Sequence, residues 1–128
     1  MAELHLIWTE TYQAAADLSA RQFHLVRQSA ANVCNQASDA QGSSIIGVLQ
    51  NKPAAAGRFA TVAMLGISKV VAGGSLTQGD IITTNGSGRA ATVRSGDMAV
   101  GRALTAAGAD GDIISALIFP PVKWFGAP

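Results

Sequence analysis

Residues 45–72 read IIGVLQNKPAAAGRFATVAMLGISKVVA, and this stretch decides the fold. Its apolar runs are short and rich in branched side chains, which favour strands, and proline or glycine separates them. We predict a buried strand over residues 44–49 that contains Gly47, since a glycine within a strand usually marks a bulge or a close backbone approach. Pro53 is expected to end that strand, and two further strands are predicted over residues 58–64 and 67–72.

The same alternation of short strands and glycine turns continues on both sides of this stretch. Further strands are predicted over residues 21–28, 32–36, 81–84, 90–93, 99–106 and 112–119, with a polar loop over 35–44. Asn85-Gly86-Ser87-Gly88 is a strong hairpin signal, and Pro120-Pro121 is expected to stop the last strand. No long helical period occurs, so the sequence predicts an all-β fold, as a small sandwich or a partly open barrel.

A Gly-Asp pair precedes three of these strands. Gly79-Asp80 and Gly111-Asp112 each lead into Ile-Ile, and Gly96-Asp97 is a weaker third copy. We interpret each pair as a glycine turn whose aspartate caps the backbone before a buried strand. These carboxylates are also the ones that could converge for acid–base work, but their turn-like context favours capping. The residues assigned to turns and strands are Gly47, Pro53, Gly79, Asp80, Gly111 and Asp112.

The first twenty residues carry acidic side chains and no base, unlike the rest of the chain. Leu4, Leu6 and Trp8 alternate with other residues in a period of two, which suits a strand. One interpretation is an edge strand packed on its own domain. The other is an extended arm over residues 1–18 that lies on a neighbour, because large apolar side chains are costly to leave in water. This arm would precede a body over 19–119 and a tail over 120–128. The candidate contact residues of arm and tail are Leu4, Leu6, Ile7, Trp8, Tyr12, Trp124 and Phe125.

Composition bounds the classes of protein. The chain has 128 residues and 24 alanines, with aromatic residues at 5%. One domain is expected, and its Ala-rich core buries little area per side chain, which favours association with a partner or with its own copies. Charged residues make up 13% and the net charge is +1. That balance excludes a strongly basic nucleic-acid binder and a polyacidic tail.

The sequence contains few residues that could bind a metal, form a disulfide or act in catalysis. Cys34 is the one cysteine, and His5 and His24 are the two histidines, so we predict no disulfide, no metal site and no cofactor. The glycine-rich residues 86–89 and 108–111 lack the Gly-Lys-Ser/Thr ending of a phosphate loop. No apolar run approaches the roughly 18 residues of a membrane span. We therefore expect a non-enzymatic protein, made in a reducing compartment and acting without a membrane or nucleic acid.

Three groups of segments stand out in this order along the chain: IGVLQNKPAA at 46–55, GISKVVAGG at 66–74, and VGRAL at 100–104 followed by GDIISAL at 111–117. These segments resemble those of tailed-phage capsid cement proteins, also called head decoration proteins. DLSA at 17–20, leading into residues 22–26, also looks like the start of that family's domain. The resemblance covers roughly residues 17–118, and it is fairly specific as a run of segments in this order.

The resemblance implies a small β domain, barrel or tulip in shape, that binds the outer surface of an expanded phage head. As implied partners it gives the major capsid protein and further copies of the chain in a homotrimer. It further implies that the protein bridges capsid subunits, stabilises the shell against internal DNA pressure, and is made in the host cytoplasm. An alternative is a small glycan- or ligand-binding β module on a virion surface, with Trp124 and Phe125 as its aromatic platform. A hydrolase using Asp80, Asp97 and Asp112 ranks last.

Overall fold

A computed structural model of the protein describes residues 4–42 and 44–125. Regular structure in these ranges consists of strands, and they contain no helix that could cross a membrane. The strands are β1 (His5–Ala14), β2 (Leu25–Ala30), β3 (Val33–Gln36), β4 (Ile45–Leu49), β5 (Phe59–Val71), β6 (Ile81–Thr84), β7 (Ala90–Thr92), β8 (Met98–Ala103) and β9 (Ile113–Lys123). The predicted all-β fold class is confirmed.

These strands form one mixed sheet, part of which closes on itself. Its order is β1-β3-β2-β4-β5-β9-β8-β6-β7, and β1 additionally pairs with β5. That additional pairing joins β1, β3, β2, β4 and β5 into a ring, while β9, β8, β6 and β7 extend from β5 as an open sheet. The result is partly ring-like without being a complete barrel, consistent with the predicted small sandwich or partly open barrel.

Two clusters of buried residues fill the molecule. The larger cluster draws on β2 and on β4 to β9, and seven of its sixteen described members are alanines. The smaller cluster lies among the strands of the ring and contains Leu18, Val26, Cys34, Leu49 and Val62. Alanine provides little surface to bury, so the strand pairing itself carries much of the organisation.

The predicted strands 58–64 and 67–72 are a single strand, so this prediction was wrong. β5 runs without a break from Phe59 to Val71. Gly66, which we predicted to lie in the connection between these two strands, has a φ of +127°. It lies where the backbone of β1 comes very close to β5. A Cβ there would stand 2.5 Å from the His5 carbonyl oxygen. The glycine therefore lets two backbones approach each other and does not end the strand.

The described part of the predicted extended arm over residues 1–18 contains β1, and β1 pairs with β5 in the protein's own sheet. Its register with β5 runs from His5 opposite Ile67 to Gln13 opposite Phe59. Ala14, the last residue of β1, and Leu18 beyond it are buried in the smaller cluster. The alternative interpretation, an edge strand packed on its own domain, describes this segment. Residues 1–3 lie outside the described residues.

Pro120 and Pro121 do not stop the last strand, which continues to Lys123. The register between β8 and β9 jumps from Ala99 opposite Val122 to Gly101 opposite Ile118. The prolines therefore lie in a bulge that has no partner residues in β8, so the N–H groups that proline lacks are not needed for pairing between β8 and β9. The predicted tail over 120–128 thus begins inside β9, and residues 126–128 lie outside the described residues.

Smaller differences concern strand ends. The strand predicted over 21–28 begins only at Leu25, because Phe23 has a φ of +64° and breaks the extended backbone. The strand predicted over 99–106 ends at Ala103. The predicted loop over 35–44 starts after Gln36, and Ser43 within it is outside the described residues.

The three Gly-Asp pairs build the same turn. Their glycines have φ values of +95°, +95° and +94°, which glycine adopts without steric cost. In each pair the aspartate N–H donates to the carbonyl three residues earlier. The carboxylates accept backbone N–H groups in return: Asp80 from Thr77 at 2.9 Å, Asp97 from Arg94 at 2.9 Å, and Asp112 from Gly108 and Ala109 at 2.9 and 3.1 Å. All three carboxylates are therefore engaged as turn caps.

Candidate functional site

The outer edge of β1 is the most open backbone edge of the ring. β5 occupies the inner edge along the whole strand, whereas β3 joins the outer edge only at Gln13 and Ala14. Gln13 donates its N–H across that outer edge to the Asn32 carbonyl at 2.7 Å. Backbone groups of a strand alternate in direction, so the N–H and C=O of Thr11 also point outward. No described strand pairs with the outer edge there.

Large apolar side chains flank this open edge. Ile7 is 77% exposed, Leu4 47% and Trp8 42%. Ile7 occupies a bulge, because the register with β5 jumps from Leu6 opposite Gly66 to Trp8 opposite Leu65. The bulge turns the Ile7 side chain into solvent while the strand continues past it.

The remaining predicted residues of β1 have a mixed role. Leu6 packs partly against the larger cluster, and Tyr12 packs partly against the smaller one. Trp8 donates its indole N–H to the Glu10 carboxylate at 2.8 Å, which holds the ring along the strand. Glu10 is exposed, and it gives the edge a negative charge beside its apolar side chains. We call the exposed surface of residues 4–11 the β1 edge.

Trp124 and Phe125 lie beyond β9, which β5 separates from β1 in the sheet order. The Trp124 backbone bonds to the turn before β8, donating to the Asp97 carbonyl at 2.8 Å and accepting from the Gly96 N–H at 2.7 Å. Trp124 is half-buried, while Phe125 is 76% exposed. The two aromatic side chains thus differ in exposure and are not placed on β1.

Sequence reasoning missed other exposed apolar side chains. Phe59 is 69% exposed and lies opposite Gln13 at the end of the β1 ribbon. On β9, Ile113 is 51% exposed and Leu117 39% exposed, whereas Ile114 is fully buried. Both faces of β9 are apolar in sequence, so alternation alone could not say which face points outward.

The residues considered for catalysis have structural partners. His24 is 4% exposed, and its Nε2 accepts from Arg89 Nε at 3.3 Å. Burial lowers the pKa of His24, with the charges of Arg21 and Arg89 acting in the same direction. Cys34 is buried, and burial raises the pKa of its thiol. Within residues 4–42 and 44–125, no three His, Cys, Asp or Glu side chains gather as metal ligands would.

Comparison with known proteins agrees with this architecture. A family model described as phage cement protein matches residues 5–118, from the first residue of β1 into β9. Among solved structures, the chain is similar to the N base of the head fiber protein gp8.5 of bacteriophage phi29, at 19% sequence identity and a TM-score of 0.64. That alignment covers 91% of this chain and 98% of the other, and it shows a shared fold. No curated protein matches. The family match spans most of the chain, so this chain belongs to the phage cement protein family, whose place is the surface of the virion capsid.

Proposed function

We propose that this protein is a non-enzymatic cement protein that binds major capsid subunits through the β1 edge. The observation that carries the proposal is the open outer edge of β1 beside exposed Leu4, Ile7 and Trp8. A strand from a capsid subunit can add to this edge through backbone hydrogen bonds, which need no special side chain. The apolar side chains then lose their contact with water on binding.

The β1 edge lacks most of the features that usually prevent an exposed edge strand from pairing with another chain. Natural proteins protect an exposed edge strand with lysine, proline, bulges or a covering segment. Residues 4–11 contain neither lysine nor proline. A bulge at Ile7 and the Glu10 carboxylate are the protection that this edge does carry. The edge therefore retains the capacity for strand addition that most exposed edges lose.

We further propose that copies of the chain meet as a homotrimer on the capsid and bridge neighbouring capsid subunits. Ile113, Leu117, Val122 and Phe125 are exposed and lie outside β1, so apolar surface remains for contact between copies when the β1 edge is occupied. Repeated weak contacts over a lattice give avidity without tight binding by each copy. Binding only the assembled shell stabilises that state against DNA pressure through mass action.

Co-sedimentation with undecorated, expanded heads of the parent phage tests the capsid contact. The informative variant is Thr11→Pro, which removes an outward N–H from the edge while leaving the pairing with β5 in place. Thr11→Val is the matched control, because it keeps the backbone donor and the β-branched shape. We expect saturable binding of the natural protein and of Thr11→Val, and loss of binding by Thr11→Pro.

Circular dichroism of each variant establishes that it is folded. Full decoration of heads by a folded Thr11→Pro variant would remove the β1 edge from the proposal. Cryo-electron microscopy of the pellet then addresses the bridging role. Density at three-fold or quasi-three-fold points supports a trimer that spans subunits, and isolated single copies elsewhere on the lattice would contradict it.

A further inference from the structure

The β6–β7 hairpin folds back onto the ring, although β7 is the last strand in the sheet order. The Gly88 carbonyl at its tip accepts the Leu25 N–H at 2.7 Å, and the Ala90 carbonyl accepts the Gly73 N–H at 2.8 Å. Leu25 begins β2, and Gly73 lies just beyond the end of β5. These two bonds therefore hold residues 88–90 of the hairpin against the ring.

A chain of three side chains reinforces this contact. Arg89 donates from Nε to His24 Nε2 at 3.3 Å and from Nη1 to the Asp110 carboxylate at 2.7 Å. His24 comes directly before β2 and is 4% exposed, whereas Asp110 lies in the exposed turn between β8 and β9. The three side chains thus connect segments that are distant in sequence: the start of β2, the hairpin tip and the turn at residues 108–111. We call them the hairpin latch.

The hydrogen bonds of the hairpin latch require a neutral His24 whose proton is on Nδ1. Nδ1 lies 3.2 Å from the Gln22 carbonyl oxygen, which can only accept a hydrogen bond. Nε2 faces Arg89, whose guanidinium group can only donate. Nε2 must therefore carry no hydrogen while the latch is closed. A proton added to Nε2 would replace this bond with two donors and two positive charges at 3.3 Å.

The charges around His24 also disfavour a protonated ring. Arg21 comes three residues before it, Arg89 faces it from the hairpin, and the Lys69 ammonium of β5 lies 5.7 Å from the centroid of the aromatic ring that precedes His24 in the chain. Asp110 is the acidic member of this group, and its carboxylate is paired with Arg89. Burial lowers the pKa of His24, and the charges of Arg21 and Arg89 act in the same direction. A protonated His24 is therefore accommodated better in water than in its buried position.

We propose that the hairpin latch is an acid-sensitive switch, which releases the tip of the β6–β7 hairpin from the ring when His24 takes up a proton. The imidazole reaches water when residues 88–90 move away from the start of β2, so proton uptake and opening favour each other. The pairing of β1 with β5 includes none of the latch residues, so the β1 edge stays in place when the latch opens. The switch is therefore independent of the proposed capsid contact.

Hydrogen exchange of the full ¹⁵N-labelled chain, followed by nuclear magnetic resonance, tests the proposal. The protection of each amide is its intrinsic exchange rate at a given pH divided by the measured rate. We expect the Leu25 and Gly73 amides to lose protection as the pH falls below about 6.5, by up to about tenfold per pH unit, the limit for one proton. They should also exchange faster than the Gln50 amide, which donates to the Thr61 carbonyl within the ring at 2.8 Å.

His24→Gln is the informative variant, because glutamine can accept a hydrogen bond from Arg89 but takes up no proton in this pH range. The protection of Leu25 and Gly73 should then be independent of pH. His5→Gln is the matched control, since it replaces the histidine of β1 by the same residue. It should keep the pH dependence of the natural protein.

Several results would overturn the inference. The proposal fails if the protection of Leu25 and Gly73 does not change with pH, or if both exchange at the rate of Gln50 throughout, because the whole chain would then open at once. It also fails if the pH dependence persists in His24→Gln or disappears in His5→Gln. Should His24→Gln not fold, the ring ¹⁵N shifts of the natural protein decide: at neutral pH they must show His24 protonated on Nδ1, and protonation on Nε2 would contradict the latch.

Discussion

Replacing Gly66 with alanine tests whether the ring depends on the close crossing of β1 over β5. Gly66 has a φ of +127°, and holding a residue with a Cβ in such a conformation costs about 1–3 kcal/mol. The added Cβ would also stand 2.5 Å from the His5 carbonyl oxygen and 2.8 Å from the Ile7 nitrogen. Both are backbone atoms, so β1 itself would have to move.

Moving the start of β1 weakens its pairing with β5 and the packing of Leu6 on the larger cluster. Each backbone hydrogen bond lost costs about 1 kcal/mol. With the conformational strain included, we expect Gly66→Ala to lower the free energy of unfolding by about 3–5 kcal/mol. A typical domain has only about 5–15 kcal/mol of stability, so the variant should be severely destabilised.

Urea unfolding followed by tryptophan fluorescence measures this loss, since Trp8 lies on β1 itself. Gly74→Ala is the matched control, because a Cβ at Gly74 meets no atom within 4 Å and its φ is not positive. We expect the control to change stability by no more than about 0.5 kcal/mol. A loss below about 1 kcal/mol in Gly66→Ala, or an equal loss in both variants, would refute the reasoning.

Three further predictions follow from the fold. Burial lowers the pKa of His24 below its ordinary 6.5, so the unfolded chain binds the proton more readily than the folded one. The stability that depends on neutral His24 should therefore be fully present above about pH 6.5 and fall as the pH drops below it. Urea midpoints measured across this range should show this fall, and His24→Gln should reduce it. Asp112→Ala should cost more stability than Asp80→Ala, by about 1 kcal/mol, because the Asp112 carboxylate accepts two backbone N–H groups, whereas Asp80 accepts one and, besides it, only a long bond of 3.4 Å from the Thr92 hydroxyl. Equal denaturation midpoints would contradict this. Deleting residues 1–16 should remove β1 and open the ring, so the truncated chain should lose its cooperative unfolding transition, whereas a free arm would leave that transition unchanged.

Local signals were the part of the fold that the sequence could predict. The strand at 45–49 and the turn at residues 85–88 each depend on neighbouring residues, and both were predicted close to their observed places. The joining of two predicted strands into β5 depended on Gly66, where the sequence cannot say whether a glycine ends a strand or admits a second backbone. Pro120 and Pro121 are similar, because a bulge opposite β8 accommodates them.

The candidate sites were less predictable because they arise from contacts distant in sequence. The apolar residues of β1 could be identified, but their pairing with β5 could not. Alternation in a short strand shows which face is buried but not which other strand it pairs with. Thr83 likewise offered no signal, because the sequence does not show that its hydroxyl is buried without a hydrogen-bond partner in the described chain.

The closure of the ring by the first strand has a consequence for how the chain folds. During synthesis, His5 emerges long before its partner Ile67, so β1 must remain unpaired until β5 has been made. Pairing between such distant segments is entropically slow to form, and it lengthens folding relative to a chain of local hairpins. We expect the β2–β3 and β6–β7 hairpins to form early and β1 to dock late. If β1 makes the capsid contact that we propose, the last strand to become structured would also be the binding surface, and capsid binding would follow completion of the body of the protein.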